Sequence, residues 1–224
     1  MEHVISGVAK FQREVFPERK EAFQKLANGQ NPEVLFITCA DSRIDPGMVT
    51  QTEPGDLFIC RNAGNVVPPH SNQTGSMSAS IEFAVAALGV SHIVVCGHTD
   101  CGAIKGAISP ESLEGLPHVQ TWLGHCRAAR EVVRERHGEV HKGHLDEVTR
   151  ENVLLQLQHL KTHPAVAAKL ANGRISLHGW MYNIANGEVL CYNETSGRFE
   201  VMSQHYRKLF NSAAITDKQL RGAL

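Results

Sequence analysis

Val34-Leu35-Phe36-Ile37-Thr38-Cys39-Ala40-Asp41-Ser42-Arg43 is an apolar, branched run that stops at a cysteine and turns polar at once. So short a run, without polar alternation, has the pattern of a strand buried on both faces, as in a parallel sheet. The same pattern recurs over residues 57–60 and 92–96. Between them Met77, Ile81, Ala84, Val85 and Leu88 lay one stripe along a helix that leads into the third strand, a crossover of the usual kind. Helical stripes follow over 119–136 and 145–161. Residues 175–182 and 189–192 read as strands joined at Asn186-Gly187, the signal of a two-residue antiparallel hairpin. At the other end Val4, Val8, Phe11 and Val15 recur at helical spacing, Pro17 interrupts them, and a second short helix over 18–27 ends near Gly29. The expected architecture is α/β: a mainly parallel central sheet of about four strands plus an antiparallel edge strand, flanked by helices, with an N-terminal helical arm.

Composition narrows the function classes. The chain has 224 residues, 42% of them hydrophobic, enough for one domain with a buried core. A net charge of -1 and a pI near 6.9 give no basic face for nucleic acid or anionic lipid. The apolar stretches are too short to span a bilayer, and no secretory signal pattern opens the chain. Six unevenly spaced cysteines then read as reduced thiols in a cytoplasmic protein, some of them free to bind metal. Neither G-x-G-x-x-G nor a P-loop is present, so a nucleotide-binding module has no support.

In open parallel sheets ligands bind at the carboxyl ends of the strands. Cys39-Ala40-Asp41-Ser42-Arg43 follows one such strand directly, and Gly97-His98-Thr99-Asp100-Cys101-Gly102 follows another. If the two strands are neighbours, Cys39, Asp41, His98 and Cys101 converge on one rim. Two sulfurs, one nitrogen and one oxygen suit zinc. Each piece alone has a plainer explanation: Cys-x-Asp as a small hydrophobe beside a helix cap, His-x-x-Cys as a turn. Their conjunction is what points to metal. Cys60, Cys96, Cys126 and Cys191 lack ligand partners at useful spacing and read as packing residues. His137, His141 and His144 are interrupted by Gly138 and Gly143 and read as a solvated loop.

Those two motifs resemble the zinc-binding signatures of the β-class carbonic anhydrases. The similarity extends to Pro54-Gly55-Asp56-Leu57-Phe58, Arg61-Asn62-Ala63-Gly64-Asn65, Ser80-Ile81-Glu82-Phe83-Ala84 and Leu177-His178-Gly179-Trp180. It covers nearly the whole chain and is closest in pattern to the plant-like branch, with bacterial enzymes associated with cyanate breakdown. The resemblance implies a single domain over 1–224: an arm (1–30), a zinc-binding αβ core (31–110), and helices with C-terminal strands (111–224). It implies one Zn²⁺ per chain on Cys39, His98 and Cys101, with Asp41 either as fourth ligand or released to pair with Arg43. Two thiolates already cancel the zinc charge, so Asp41 on the metal would close the site, and Arg43 would act as the latch that keeps it off. The implied reaction is reversible hydration of carbon dioxide to bicarbonate by zinc-bound hydroxide, serving carbon utilisation, in a homodimer or higher homo-oligomer.

For the substrate pocket the resemblance points to Gln30, Phe58 and Phe83, the last in place of a more usual tyrosine, and the backbone at Gly102 adds a donor for an anionic product. A regulatory bicarbonate site found in some β-class enzymes would fall on Phe36, Thr38 and Tyr182. Only the tyrosine matches, so no such site is expected, and Asp41 should be paired with Arg43. Two other readings remain at this level: hydrolysis of carbon disulfide or carbonyl sulfide on the same site, and a catalytically silent structural zinc.

Overall fold

Residues 1–206 are described by a computed structural model of the chain. Six strands are present: β1 (Val34–Cys39), β2 (Leu57–Asn62), β3 (His92–His98), β4 (Ser176–Tyr182), β5 (Val189–Asn193) and β6 (Arg198–Val201). They form one sheet in the order β2-β1-β3-β4-β5-β6. The first four are mutually parallel, and β5 and β6 are antiparallel to their neighbours. The chain leaves β1 toward β2 on one side and returns across it to β3 on the other. The crevice between the carboxyl ends of β1 and β3 is therefore the topological switch point, where such sheets bind ligands.

β1 and β3 are buried along almost their whole length, as their unbroken apolar runs require. β2 differs from the expectation of burial on both faces: it is a sheet edge, and Ile59 is 45% exposed. The helical segment 76–88 buries Met77, Ile81, Ala84 and Val85 against the sheet. It stops at Gly89, whose φ of 77° is the left-handed geometry that ends helices at little cost to glycine. Helix Leu145–Lys161 covers the same face, burying Val153, Leu157 and Leu160. A second cluster, built by the helices between residues 102 and 137, packs beside Cys39 and Cys101. On the opposite sheet face the core is small, namely Phe36, Ile44, Val94 and Cys96, with Trp180 edge-on to Phe36.

Other elements also depart from expectation. The helix expected over 119–136 is two helices, Pro117–Leu123 and Arg127–His137, joined by a tighter turn at Gly124–Cys126. The β4–β5 connection is longer than a two-residue hairpin. Asn183 N–H pairs with Glu188 O, Gly187 N–H returns to Asn183 O, and the Asn183 and Asn186 side chains accept the N–H groups of Ala185 and Glu188. Side-chain turns have replaced the tight backbone turn. β6, only four residues long, adds a second antiparallel strand.

In the arm, helical turns run from Glu2 to Glu18 and break at Arg19, not at Pro17. Wider turns over Phe11–Val15 precede the proline, and Phe16 N–H bonds Phe11 O, five residues back. No residue of the arm's helices is buried. His137, His141 and His144, expected in a loop, are more ordered: His137 ends helix Arg127–His137, and His141 caps a short 3-10 turn over Lys142–His144. The His144 ring stacks on His137 and packs tilted against His141, whose Nδ1 accepts the Gly143 N–H. No helix among the described residues is long and apolar enough to cross a membrane. Residues 207–224, the end of the expected 111–224 unit, lie outside the described residues.

Candidate metal centre

Thr38 pairs with Cys96 across β1 and β3, so the residues that follow bring Cys39 and His98 to the same rim of the switch point. The chain then reverses at Asp100, whose φ of 57° lies in the left-handed region that aspartate tolerates better than most residues. The reversal returns Cys101 toward His98. The ligand atoms of Cys39, His98 and Cys101 all lie within 4.8 Å of one another, and all three residues are buried. The two sulfurs are 3.9 Å apart. That is far too long for a disulfide, yet two sulfurs each about 2.3 Å from one tetrahedral zinc stand about 3.8 Å apart.

His98 fixes the third direction. Its Nδ1 lies 2.9 Å from Thr99 O, so that nitrogen carries the hydrogen, and the lone pair of Nε2 faces the sulfurs. Nε2 is buried and has no hydrogen-bond partner. An orphaned imidazole nitrogen costs free energy unless something accepts its lone pair, and a zinc ion does. The thiols agree. The hydrogen bond the two sulfurs share lets one of them ionise far more readily than a free thiol and, with burial, pushes the other up. One sulfur ionises easily and the second needs a cation, as expected where metal binding displaces protons. Cys101 directly precedes helix Gly102–Ile108.

Asp41 stands beside this cluster and is held away from it. Arg43 grips it with two parallel bonds, Nε to Oδ1 at 2.9 Å and Nη2 to Oδ2 at 2.8 Å, and the Arg43 backbone N–H adds a third at 3.0 Å. The guanidinium keeps the Asp41 carboxyl far below the usual carboxylate range. Asp41 Oδ2 is nevertheless only 3.9 Å from His98 Nε2. Sequence reasoning missed what holds Arg43 in turn: its Nη1 bonds Asp100 Oδ2 at 2.9 Å, and Lys105 pairs with the other Asp100 oxygen. It also missed Arg61, which ties the loop by donating to the carbonyls of Cys39, Asp41 and Ile44 at 3.1, 2.7 and 2.9 Å. Asn65 is fully buried with both amide atoms unpaired.

The carbonic anhydrase family profile matches residues 34–189, a span that holds the cluster and the sheet as far as β5. The chain is 46% identical over 205 residues to a carbonic anhydrase of Pseudomonas aeruginosa, covering 92% of this chain and 93% of that one. This chain is a member of the carbonic anhydrase family. Its class follows from solved structures. The β-carbonic anhydrase CcaA superposes with a TM-score of 0.87 at 42% identity, over 90% of this chain and 98% of that one. A tetrameric β-carbonic anhydrase of Sordaria macrospora gives 0.75 at 30% identity, over 85% and 95%. The β-class chain is an enzyme that hydrates carbon dioxide reversibly and uses zinc, for which the Cys39, His98 and Cys101 cluster is the fitting site.

The expected pocket residues are less united. Phe58 and Phe83 pack together with ring centroids 6.0 Å apart. Phe58 pairs with Leu35, however, four residues upstream of the Cys39 and Asn62 pair, so it stands about 13 Å along the strands from the metal rim. Within one chain neither ring reaches the cluster. Gln30 is exposed, and Gly102 opens its helix beside Cys101 with free space at its α-carbon. Cys60, Cys96, Cys126 and Cys191 are buried, with thiols pushed up by burial, those of Cys96 and Cys126 to about 12. Such cysteines pack and do not react.

Proposed function

We propose that Cys39, His98 and Cys101 hold one zinc per chain, and that Asp41, kept off the metal by Arg43, orients the water that adds to carbon dioxide. Bound there, zinc supplies a Lewis acid that makes a nucleophile of water near neutral pH. The carrying observation is the Arg43 fork on Asp41, 2.8 and 2.9 Å long, beside an Oδ2 that stands 3.9 Å from His98 Nε2. Asp41 Oδ1 already accepts two Arg43 N–H groups, whereas Oδ2 accepts one and keeps a second lone pair. That lone pair accepts a hydrogen bond from the incoming water and turns the water's own lone pair toward carbon. Asp100, itself paired with Lys105, holds Arg43, so the carboxylate does not swing back to become a fourth ligand. Asp41 itself stays ionised throughout.

The functional unit is at least a homodimer. Ile59 on edge strand β2, Phe83, and Val4, Ile5, Val8, Phe11 and Phe16 of the arm are 37–61% exposed, an apolar area that favours a second copy as its cover. A second copy also offers a way for Phe58 and Phe83 to line a metal rim that they do not reach in their own chain. The six cysteines are all free, which suits a reducing cytoplasm. Residues 1–224 act as one domain, in which 1–30 are the arm, 31–110 the zinc-binding core and 111–224 the helices and C-terminal strands.

Stopped-flow hydration of carbon dioxide on zinc-quantified protein is the test. Arg43→Ala should keep about one zinc per chain and lose hydration rate by roughly 10- to 100-fold. Wild-type turnover in Arg43→Ala would rule out the latch.

A further inference from the structure

Cys39 has a hydrogen-bond donor that comes from neither sequence motif. The backbone N–H of Gly64 reaches its sulfur at 3.4 Å. Glycine is the most freely rotating residue, and Gly64 sits at φ 81°, where a side chain is strained and a Cβ would lie 3.3 Å from that of Ala103. Something must hold such a residue if its N–H is to stay on target.

Both peptide groups that flank Gly64 are gripped from the helical side. The Trp122 indole N–H donates to Ala63 O at 2.9 Å. That carbonyl belongs to the same peptide group as the Gly64 N–H, so the indole both anchors and polarises the group that faces the sulfur. On the other side Asn152 Nδ2 donates to Gly64 O at 3.0 Å. Asn152 is fixed by Gln156, whose Nε2 donates to Asn152 Oδ1 at 2.8 Å and whose Oε1 accepts Val67 N–H at 2.8 Å. Asn152 and Gln156 are both fully buried. A buried amide pair in a helix core costs desolvation that apolar residues avoid, and here the pair holds the 63–67 turn at two points, Gly64 O and Val67 N–H.

We propose that Trp122 and Asn152, with Gln156 behind it, are positioning residues that clamp Gly64 and so set the electron-donor strength of the Cys39 sulfur toward the metal. The inference rests on the reading of Cys39 as a ligand. Hydrogen bonding drains charge from a thiolate, and loosening the clamp leaves the sulfur a stronger donor and the ligand geometry less fixed.

The probe is the cobalt(II)-substituted protein together with the zinc form, compared among wild type, Trp122→Phe and Asn152→Ala. The sulfur-to-cobalt charge-transfer absorption should move to lower energy in both variants, and zinc should pass to a competing chelator about tenfold faster. Trp122→Phe keeps an aromatic side chain and removes the N–H together with the five-membered ring of a partly exposed residue, so the metal-free variant should still fold and melt close to the wild type. If Asn152→Ala does not fold, Trp122→Phe decides alone. An unchanged band and an unchanged zinc loss rate in Trp122→Phe would overturn the clamp. A wild-type cobalt protein with no sulfur charge-transfer band would instead overturn the thiolate assignment, and the clamp with it.

Discussion

Arg43 holds two carboxylates at once, Asp41 on the metal side and Asp100 on the solvent side, and the division of labour between them is measurable. Asp100→Asn keeps a residue that accepts the left-handed backbone but removes the charge that anchors the guanidinium. It should retain one zinc per chain and lose roughly tenfold in hydration kcat, less than Arg43→Ala. Equal turnover in Asp100→Asn and wild type would remove Asp100 from the site. Cys39→Ala, His98→Ala and Cys101→Ala belong to a different group, because each deletes a donor of a three-donor set. Metal analysis after dialysis should find them largely zinc-free, and a variant that kept both zinc and activity would exclude that residue as a ligand. The donor set was legible because Cys-x-Asp and His-x-x-Cys each follow a buried strand directly, and their conjunction on one rim has no packing explanation. Asp100 lay between two of those donors and was passed over. Nothing in the local sequence says that a left-handed turn at residue 100 aims its carboxylate at an arginine 57 positions earlier.

Helix Leu145–Lys161 can lie close to β3 and β4 only because each strand carries a glycine under it. A Cβ at Gly97 would lie 2.9 Å from Val153 Cγ2 and 3.1 Å from Thr149 Cγ2, and one at Gly179 would lie 3.0 Å from Val153 Cγ1. Valine is stiff at χ1 and cannot swing clear. Gly97→Ala and Gly179→Ala should each destabilise by about 1–3 kcal/mol through overpacking. Both press on the same valine, so Val153→Ala in the Gly97→Ala background should restore part of the loss, a coupling that urea unfolding of the single and double variants reads directly. Additive losses would place the strain elsewhere. The same scale explains which elements were readable. β1 and β3 were plain because a strand buried on both faces has no other sequence to offer. β2 carries a similar apolar run but is an edge, since a sequence records hydrophobicity and not which neighbour is missing. The break at Gly124–Cys126 was invisible because Val119, Leu123, Cys126 and Val133 pack in one cluster, and their stripe continues through it. The four residues of β6 are too few to make a pattern.

At the scale of the molecule, the arm's exposed apolar stripe and edge strand β2 make association testable without touching the metal site. Val8→Glu combined with Phe16→Glu should shift sedimentation toward the monomer and lower activity together with it, and an active monomer would refute the homo-oligomer. Solution pH acts on the whole fold through a different set of groups. His125, His159, His163 and His178 are all held below the ordinary histidine pKa, chiefly by burial, which disfavours the charged ring. The unfolded chain therefore takes up protons at these rings before the native state does, and stability must fall as pH drops. Their contribution is complete above about pH 6.5, the unfolded value, and is lost progressively beneath it. The lowered carboxylates Asp41, Asp100, Glu147 and Glu200 have the same sign but act in a more acidic window, below about pH 4.5. Zinc loss in acid would also lower stability, so the test is a difference between two proteins equally loaded. His163 is 3% exposed, and its Nε2 lies 2.9 Å from Pro68 O, a bond that a glutamine side chain can still donate. In His163→Gln the dependence of unfolding free energy on pH between 5 and 7 should flatten, by at most about 1.4 kcal/mol per pH unit for one proton. Identical slopes in the variant and the wild type would mean that His163 charges as readily folded as unfolded.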